Sequence, residues 1–216
     1  MRWAAAGRAP VAHHGLQRSG TNYLLQCLLS LRVPVVNMAE PSGRLPWHKH
    51  FRWQHDKRTI PSFIRRQYGN ELIVDDVAGL NVAAGYPPET RHLVVRKDET
   101  DWLVSILNWS LYCGWVESKE AGLCAMPALL ADHRAYHQFW QRLAYREPER
   151  VRILDLARVA GCPEDLCEAL AALDIAFHDH GFTGIFEEVP KSPKGRARPV
   201  TAHDVAMALS SAAERP

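Results

Sequence analysis

The sequence predicts an α/β fold built on a mainly parallel sheet. Three observations carry that expectation: short apolar runs rich in β-branched residues, amphipathic helical stretches between them, and a glycine-bearing loop, "HHGLQRSGTNYLLQ" (13–26), that runs into a helix. Strands that alternate with helices are joined by crossovers, and crossovers give parallel neighbours.

In "TNYLLQCLLSLR", Leu24, Leu25, Leu28 and Leu29 recur at helical spacing, and Pro34 sets an end soon after Arg32. From Met38 to Lys57, Pro, Gly, Trp and His mix without a period, which is the pattern of a loop with short elements. "ELIVDDV" (71–77) and "HLVVRK" (92–97) suit strands buried in a parallel sheet. "ETDWLVSILNWSLYCGW" puts Trp102, Ile106, Trp109 and Cys113 on one helical face, and "MPALLADHRAYHQFWQRLAYR" repeats the amphipathic pattern with Pro127 at its start. "RVRILDL" is a further strand, and "CPEDLCEALAALDI" a helix with Pro163 near its first turn. Residues 1–186 are expected to form one domain. Residues 187–216 are expected to be a basic, Pro-rich loop ("EEVPKSPKGRAR") and a C-terminal tail that frays at "SAAERP".

The 216 residues are 47% hydrophobic, enough for one substantial core. Lys and Arg number 26 against 24 Asp and Glu, so the charge balance calls for neither a nucleic-acid nor a membrane partner. Five cysteines, Cys27, Cys113, Cys124, Cys162 and Cys167, lie in apolar, helix-like stretches and are expected to be reduced, buried thiols of a cytoplasmic protein. No apolar run approaches the ~20 residues of a membrane span, and "MRWAAAGRAP" has no hydrophobic secretion region.

A loop ending at a helix amino terminus offers unpaired N–H groups and the positive end of the helix dipole to an anion. The nucleotide triphosphatase form, G-x-x-x-x-G-K-[ST], places a lysine after its last glycine. Here Thr21 and Asn22 follow Gly20, and the cation stands at Arg18. "GLQRSGTNYL" resembles the 5′-phosphosulfate loop, P-[KR]-[ST]-G-T-[TS]-[WFL], of sulfotransferases that use 3′-phosphoadenosine 5′-phosphosulfate (PAPS), with Gln17 in place of the proline. That resemblance implies a three-layer αβα fold of the P-loop NTPase type. It also implies a donor cradle of Gln17, Arg18, Ser19, Gly20, Thr21 and Asn22, Arg18 stabilising the leaving phosphate oxygen, and Tyr23 on or beside adenine.

Two further segments extend the resemblance. "LVVRKDETDWLVSILNW" is similar to V-[RK]-D-P-x-x-W-x-x-S, in which a strand-end cation and a helix serine bind the 3′-phosphate; Lys97 and Ser105 hold that separation, with Arg96 as substitute and Glu99 in place of the proline. Adjacent Arg96 and Lys97 face opposite ways on a strand, so one of them meets the phosphate. "LPWHKHFRW" resembles the W-K-H segment carrying the family's base. By that match His50 is the base, Lys49 an auxiliary cation and His48 the reserve. "RVRILDLARVAGCPEDLCEAL" keeps Asp155 and Leu156 of the V-x-x-x-Y-E-D-L strand and helix without its tyrosine and glutamate, and Lys194 and Arg196 are candidates for a loop over the 3′-phosphate.

The resemblance implies sulfuryl transfer to a hydroxyl or amine of a small-molecule or glycan acceptor, without a metal. The acceptor pocket is expected between the Trp47–Trp53 region and the helices around Trp109, Tyr112 and Trp115, side chains that equally suit a core. Three other readings stay open. One is a metal cluster of His48, His50, His55 and Asp56 with His178 or His180. Another is a P-loop small-molecule kinase using Asp75 and Asp76, and the third a non-catalytic relative that binds adenosine bisphosphate.

Overall fold

The structure, a computed structural model, describes residues 9–38, 45–53, 73–178 and 199–213. Strands β1 (Val11–His14), β2 (Arg91–Arg96) and β3 (Val151–Asp155) pair in that order, and both pairings are parallel. His14 lies opposite Val94 and Arg96 opposite Asp155, so the carboxyl ends of the strands share one edge of the sheet. A parallel bridge between Val11 and Val35 continues the sheet past β1. Eight helices are present among the described residues: α1 (Thr21–Ser30), α2 (Val77–Ala84), α3 (Glu99–Tyr112), α4 (Lys119–Cys124), α5 (Met126–Arg146), α6 (Leu156–Gly161), α7 (Glu164–Ala172) and α8 (Ala202–Ala213).

A parallel sheet must cover both faces. Ala12, Val94 and Val151 share a buried cluster with Leu80 of α2, Trp102 and Ile106 of α3, and Tyr136 and Trp140 of α5. Val11, Leu93, Val95 and Leu154, of opposite parity, join Leu24 and Leu28 of α1, Val159 of α6, and Leu166 and Leu170 of α7. The described chain is thus an α/β unit with an apolar cluster on each side of a small parallel sheet.

Several elements differ from the sequence expectation. The strand expected over 71–77 does not form: residues 73–76 are irregular, residues 71 and 72 lie outside the described part, and Val77 opens α2. Asp76 decides the matter, because its carboxylate accepts from the Gly79 N–H at 2.6 Å and caps the helix. β1 had no counterpart in the reading, since two of its four residues are histidines. Both are fully buried, and each has one ring nitrogen bonded to a partner remote in sequence and the other without a hydrogen bond among the described residues.

Asn37 brackets His13, accepting from its backbone N–H at 3.0 Å and its Nδ1–H at 2.8 Å and donating to its carbonyl at 2.8 Å. Asn81 Oδ1 accepts from His92 Nε2 at 2.8 Å. That leaves His92 Nδ1 to accept from His14 Nε2 at 3.0 Å.

The C-terminal region is not all tail. Thr201 and Asp204 exchange hydrogen bonds across the first turn of α8, Asn108 of α3 donates to and accepts from the Val200 backbone, and Lys119 pairs with Asp204 at 2.7 Å. Val200 and Val205 are buried in the core shared with α3. The five cysteines are free thiols, but only Cys27 is buried. Cys113, Cys124 and Cys162 are exposed at helix ends, where the apolar periodicity has already lapsed, and Cys167 is half-buried. No helix among the described residues is long and apolar enough to cross a membrane.

Candidate functional site

The loop from Gly15 to Gly20 leaves the carboxyl end of β1 and enters α1, where open α/β sheets place their ligands. Its glycines are required by contact. A Cβ on Gly15 would lie 2.5 Å from Ser19 Oγ and 2.9 Å from Val95 Cγ1, and one on Gly20 would lie 2.6 Å from Leu156 Cδ1. Gly20 also holds φ 96°, and Arg18 adopts φ 69°, a left-handed conformation that costs a side-chain-bearing residue about 1–2 kcal/mol. Ser19 closes the turn from within, its N–H and hydroxyl both donating to the Leu16 carbonyl at 3.1 and 2.6 Å. Thr21 is the first residue of α1 and is buried.

The histidine segment, residues 45–53, lies directly on this loop. The Gly15 N–H donates to the Lys49 carbonyl at 3.1 Å, and His50 Nδ1 donates to the Gly15 carbonyl at 2.7 Å. A carbonyl only accepts, so the proton of neutral His50 is on Nδ1 and Nε2 carries the lone pair. Burial holds His50 well below the usual histidine range, opposed by the Gly15 carbonyl, so the ring is neutral at pH 7. Lys49 is also buried, its ammonium donating to Asn22 Oδ1 at 2.7 Å; burial lowers its pKa to about 8. His48 Nδ1 accepts from the His50 N–H at 3.1 Å, and burial lowers that ring to about 4.

The segment is fixed from behind by an ion pair that sequence reasoning missed. Arg52, fully buried, donates from Nε and Nη2 to the two carboxylate oxygens of Asp132 on α5 at 3.2 and 2.9 Å, and from Nη1 to the His50 carbonyl at 2.8 Å. No local pattern links two residues 80 positions apart.

The strand–helix pair completes the group. Lys97 Nζ donates to Ser105 Oγ at 2.6 Å, while Arg96 turns toward Asp155, 3.8 Å away, at the end of β3. Asp98 caps α3, accepting from the N–H groups of Thr100 and Asp101. Glu99, where the resemblance has proline, is held by both nitrogens of an Arg134 fork at 3.0 and 3.1 Å. Two α3 tryptophans reach the loop: Trp102 Nε1 donates to the Gln17 carbonyl at 2.8 Å, and the Arg18 guanidinium lies 4.7 Å from the centre of the Trp109 ring.

The other candidates fall elsewhere. Tyr23 packs with the α1-side cluster, its hydroxyl beside Cys27. Trp53 is core, Trp47, Trp109 and Trp115 are half-buried, and Tyr112 stands exposed beside Trp109. Asp155 Oδ1 accepts from the Ala157 N–H and caps α6. Asp76 is committed to the α2 cap, and Asp75 lines a small cavity of about 50 Å³ with Arg142 and Arg146; among the described residues, 73 and 74 before them form no strand. A groove of about 690 Å³ along the outer edge of β3 contains Arg96 but none of the loop. No group of three or more His, Cys, Asp or Glu among the described residues is placed to hold a metal ion. His55, Asp56, His180, Lys194 and Arg196 lie outside those residues. Compared with known proteins, the chain matches no family model and no curated protein.

Proposed function

We propose that this chain is a sulfotransferase that moves a sulfuryl group from PAPS to a hydroxyl or amine of a small-molecule or glycan acceptor, on a three-layer αβα scaffold of the P-loop type. The observation that carries the reading is the convergence of three segments distant in sequence. Gly15 is bonded to Lys49 and His50, Trp102 ties α3 to Gln17, and Lys97 meets Ser105 at the neighbouring strand end. The glycine loop suits a phosphosulfate, because it delivers the backbone N–H groups at the amino terminus of α1 to the carboxyl edge of the sheet. A lysine paired with a serine is a donor set for a phosphate monoester. Free thiols, three of them exposed, fit a reducing compartment such as the cytoplasm.

In this reading the donor supplies an activated sulfuryl group on a good leaving phosphate. As the acceptor oxygen bonds to sulfur, its proton passes to His50 Nε2. Arg18, Lys49 and the loop N–H groups offset the charge left on the phosphate oxygen as its bond to sulfur breaks. No metal takes part in this scheme.

Calorimetric titration with adenosine 3′,5′-bisphosphate, AMP, ADP and magnesium–ATP tests it, for the wild type, Arg18→Ala and Lys97→Ala. The expected result is bisphosphate binding at least about tenfold tighter than AMP, lost in Lys97→Ala, as removal of a charge-assisted contact implies. Equal or tighter binding of magnesium–ATP sinks the reading in favour of a small-molecule kinase. Bisphosphate binding with no turnover of any acceptor leaves a non-catalytic binder.

A further inference from the structure

Resting on that reading of the Lys97–Ser105 pair, we infer that His133 and Arg134 of α5 are positioning residues that set recognition of a 3′-phosphate. They do so by clamping the β2–α3 junction from which Lys97 projects. Lys97 is the first residue after β2, and a junction residue has no ladder partner to fix it. Here the fixing comes from α5. His133 Nε2 donates to the Lys97 carbonyl at 3.2 Å, and Arg134 grips the Glu99 carboxylate with two nitrogens. Consecutive residues of one helix therefore hold both sides of Asp98, the cap of α3.

The clamp has a second grip. The His133 ring packs against Trp102, with centroids 5.0 Å apart, and Trp102 is the residue whose indole N–H holds the Gln17 carbonyl. His133 is buried and its Nδ1 lacks a hydrogen-bond partner, with Glu99 Oε1 at 3.7 Å, so its one hydrogen bond is spent on the Lys97 backbone. His133 thus touches both strand-end recognition and the loop anchor, without itself standing among the proposed ligand contacts.

The predicted signature is selective. Loss of the Nε2 donor lets the Lys97 backbone drift, which weakens a ligand bearing a 3′-phosphate and spares one without it. Affinities for adenosine 3′,5′-bisphosphate and AMP are measured by calorimetry for the wild type, His133→Ala, His133→Gln and Arg134→Ala, with thermal unfolding of each. The expected result is a bisphosphate-to-AMP affinity ratio that falls roughly five- to tenfold in His133→Ala, the effect of one lost hydrogen bond. The ratio should fall less in Arg134→Ala, whose ion pair is exposed. It should recover in His133→Gln, whose amide can donate to the same carbonyl. Equal weakening of both ligands in His133→Ala, or an unchanged ratio, overturns the clamp while leaving the wild-type preference intact. If His133→Ala does not fold, a His133→Gln ratio as low as that of Lys97→Ala overturns it. Absence of any preference in the wild type overturns the site reading itself, and the clamp with it.

Discussion

His50 poses a trade between availability and strength. Its Nδ1–H is held by the Gly15 carbonyl, which presents the Nε2 lone pair, and burial keeps the ring neutral far below pH 6.5. A base with a lowered pKa stays competent as the medium acidifies, so the turnover–pH profile of an identified acceptor should show no fall near pH 6.5; an inflection there would contradict the burial. His50→Ala is expected to lower turnover about 10²- to 10⁴-fold while bisphosphate affinity stays within twofold of wild type. Single-turnover kinetics beside calorimetry separates the two. Lys49 sits one residue away with its ammonium on Asn22 and its pKa lowered to about 8, so an anion bound in the loop should draw it back toward the protonated form.

At the scale of elements, the histidine segment depends on an ion pair of which it contains only one half, Arg52. Breaking one side of Arg52–Asp132 strands the other charge in the core, which typically costs about 3–5 kcal/mol. Arg52→Met and Asp132→Leu should each lower stability by that order, and the double variant should recover much of the loss. Additive losses in a denaturant double-mutant cycle would show that the pair is not a unit.

The sequence made α1, β2, α3, α5, β3 and α7 legible because each carries an uninterrupted period. The resemblance singled out Lys97 and Ser105 as joint ligands of a phosphate, and the structure shows the two side chains in contact with each other. What stayed hidden was of two kinds. Arg52 with Asp132, Trp102 with Gln17 and His133 with Lys97 are tertiary pairings that no local pattern encodes. Val77–Ala84 and Ala202–Ala213 did carry signals, an Asp cap at 76 and a Thr201–Asp204 box. The first was masked by the β-branched run before it, the second by the Pro-rich basic segment upstream.

The whole molecule buries an unusual number of imidazoles. His13, His92 and His137 are held at about 3 and His48 at about 4, in each case first by burial. The unfolded chain binds these protons near pH 6.5 and the native one does not, so stability is present above that value and is lost as pH falls below it. At pH 5.5 each group costs about 1.3 kcal/mol relative to neutral pH, and four together about 5 kcal/mol, comparable with the whole stability of many domains. The midpoint of thermal unfolding should therefore drop steeply between pH 6.5 and 5; a flat profile would mean that the rings are not shielded from protons.

Seven tryptophans also make the chain its own optical instrument. Trp53, Trp102 and Trp140 are sealed in the core, whereas Trp109 is half-buried with a guanidinium over its ring. An anion that draws Arg18 off that ring changes the electric field on the Trp109 indole most directly, since Trp102 meets the loop only through the Gln17 carbonyl. Titration of the bisphosphate should then move the fluorescence emission of the wild type distinctly more than that of Trp109→Phe. Occupancy of the loop becomes readable without a label, before any acceptor is known.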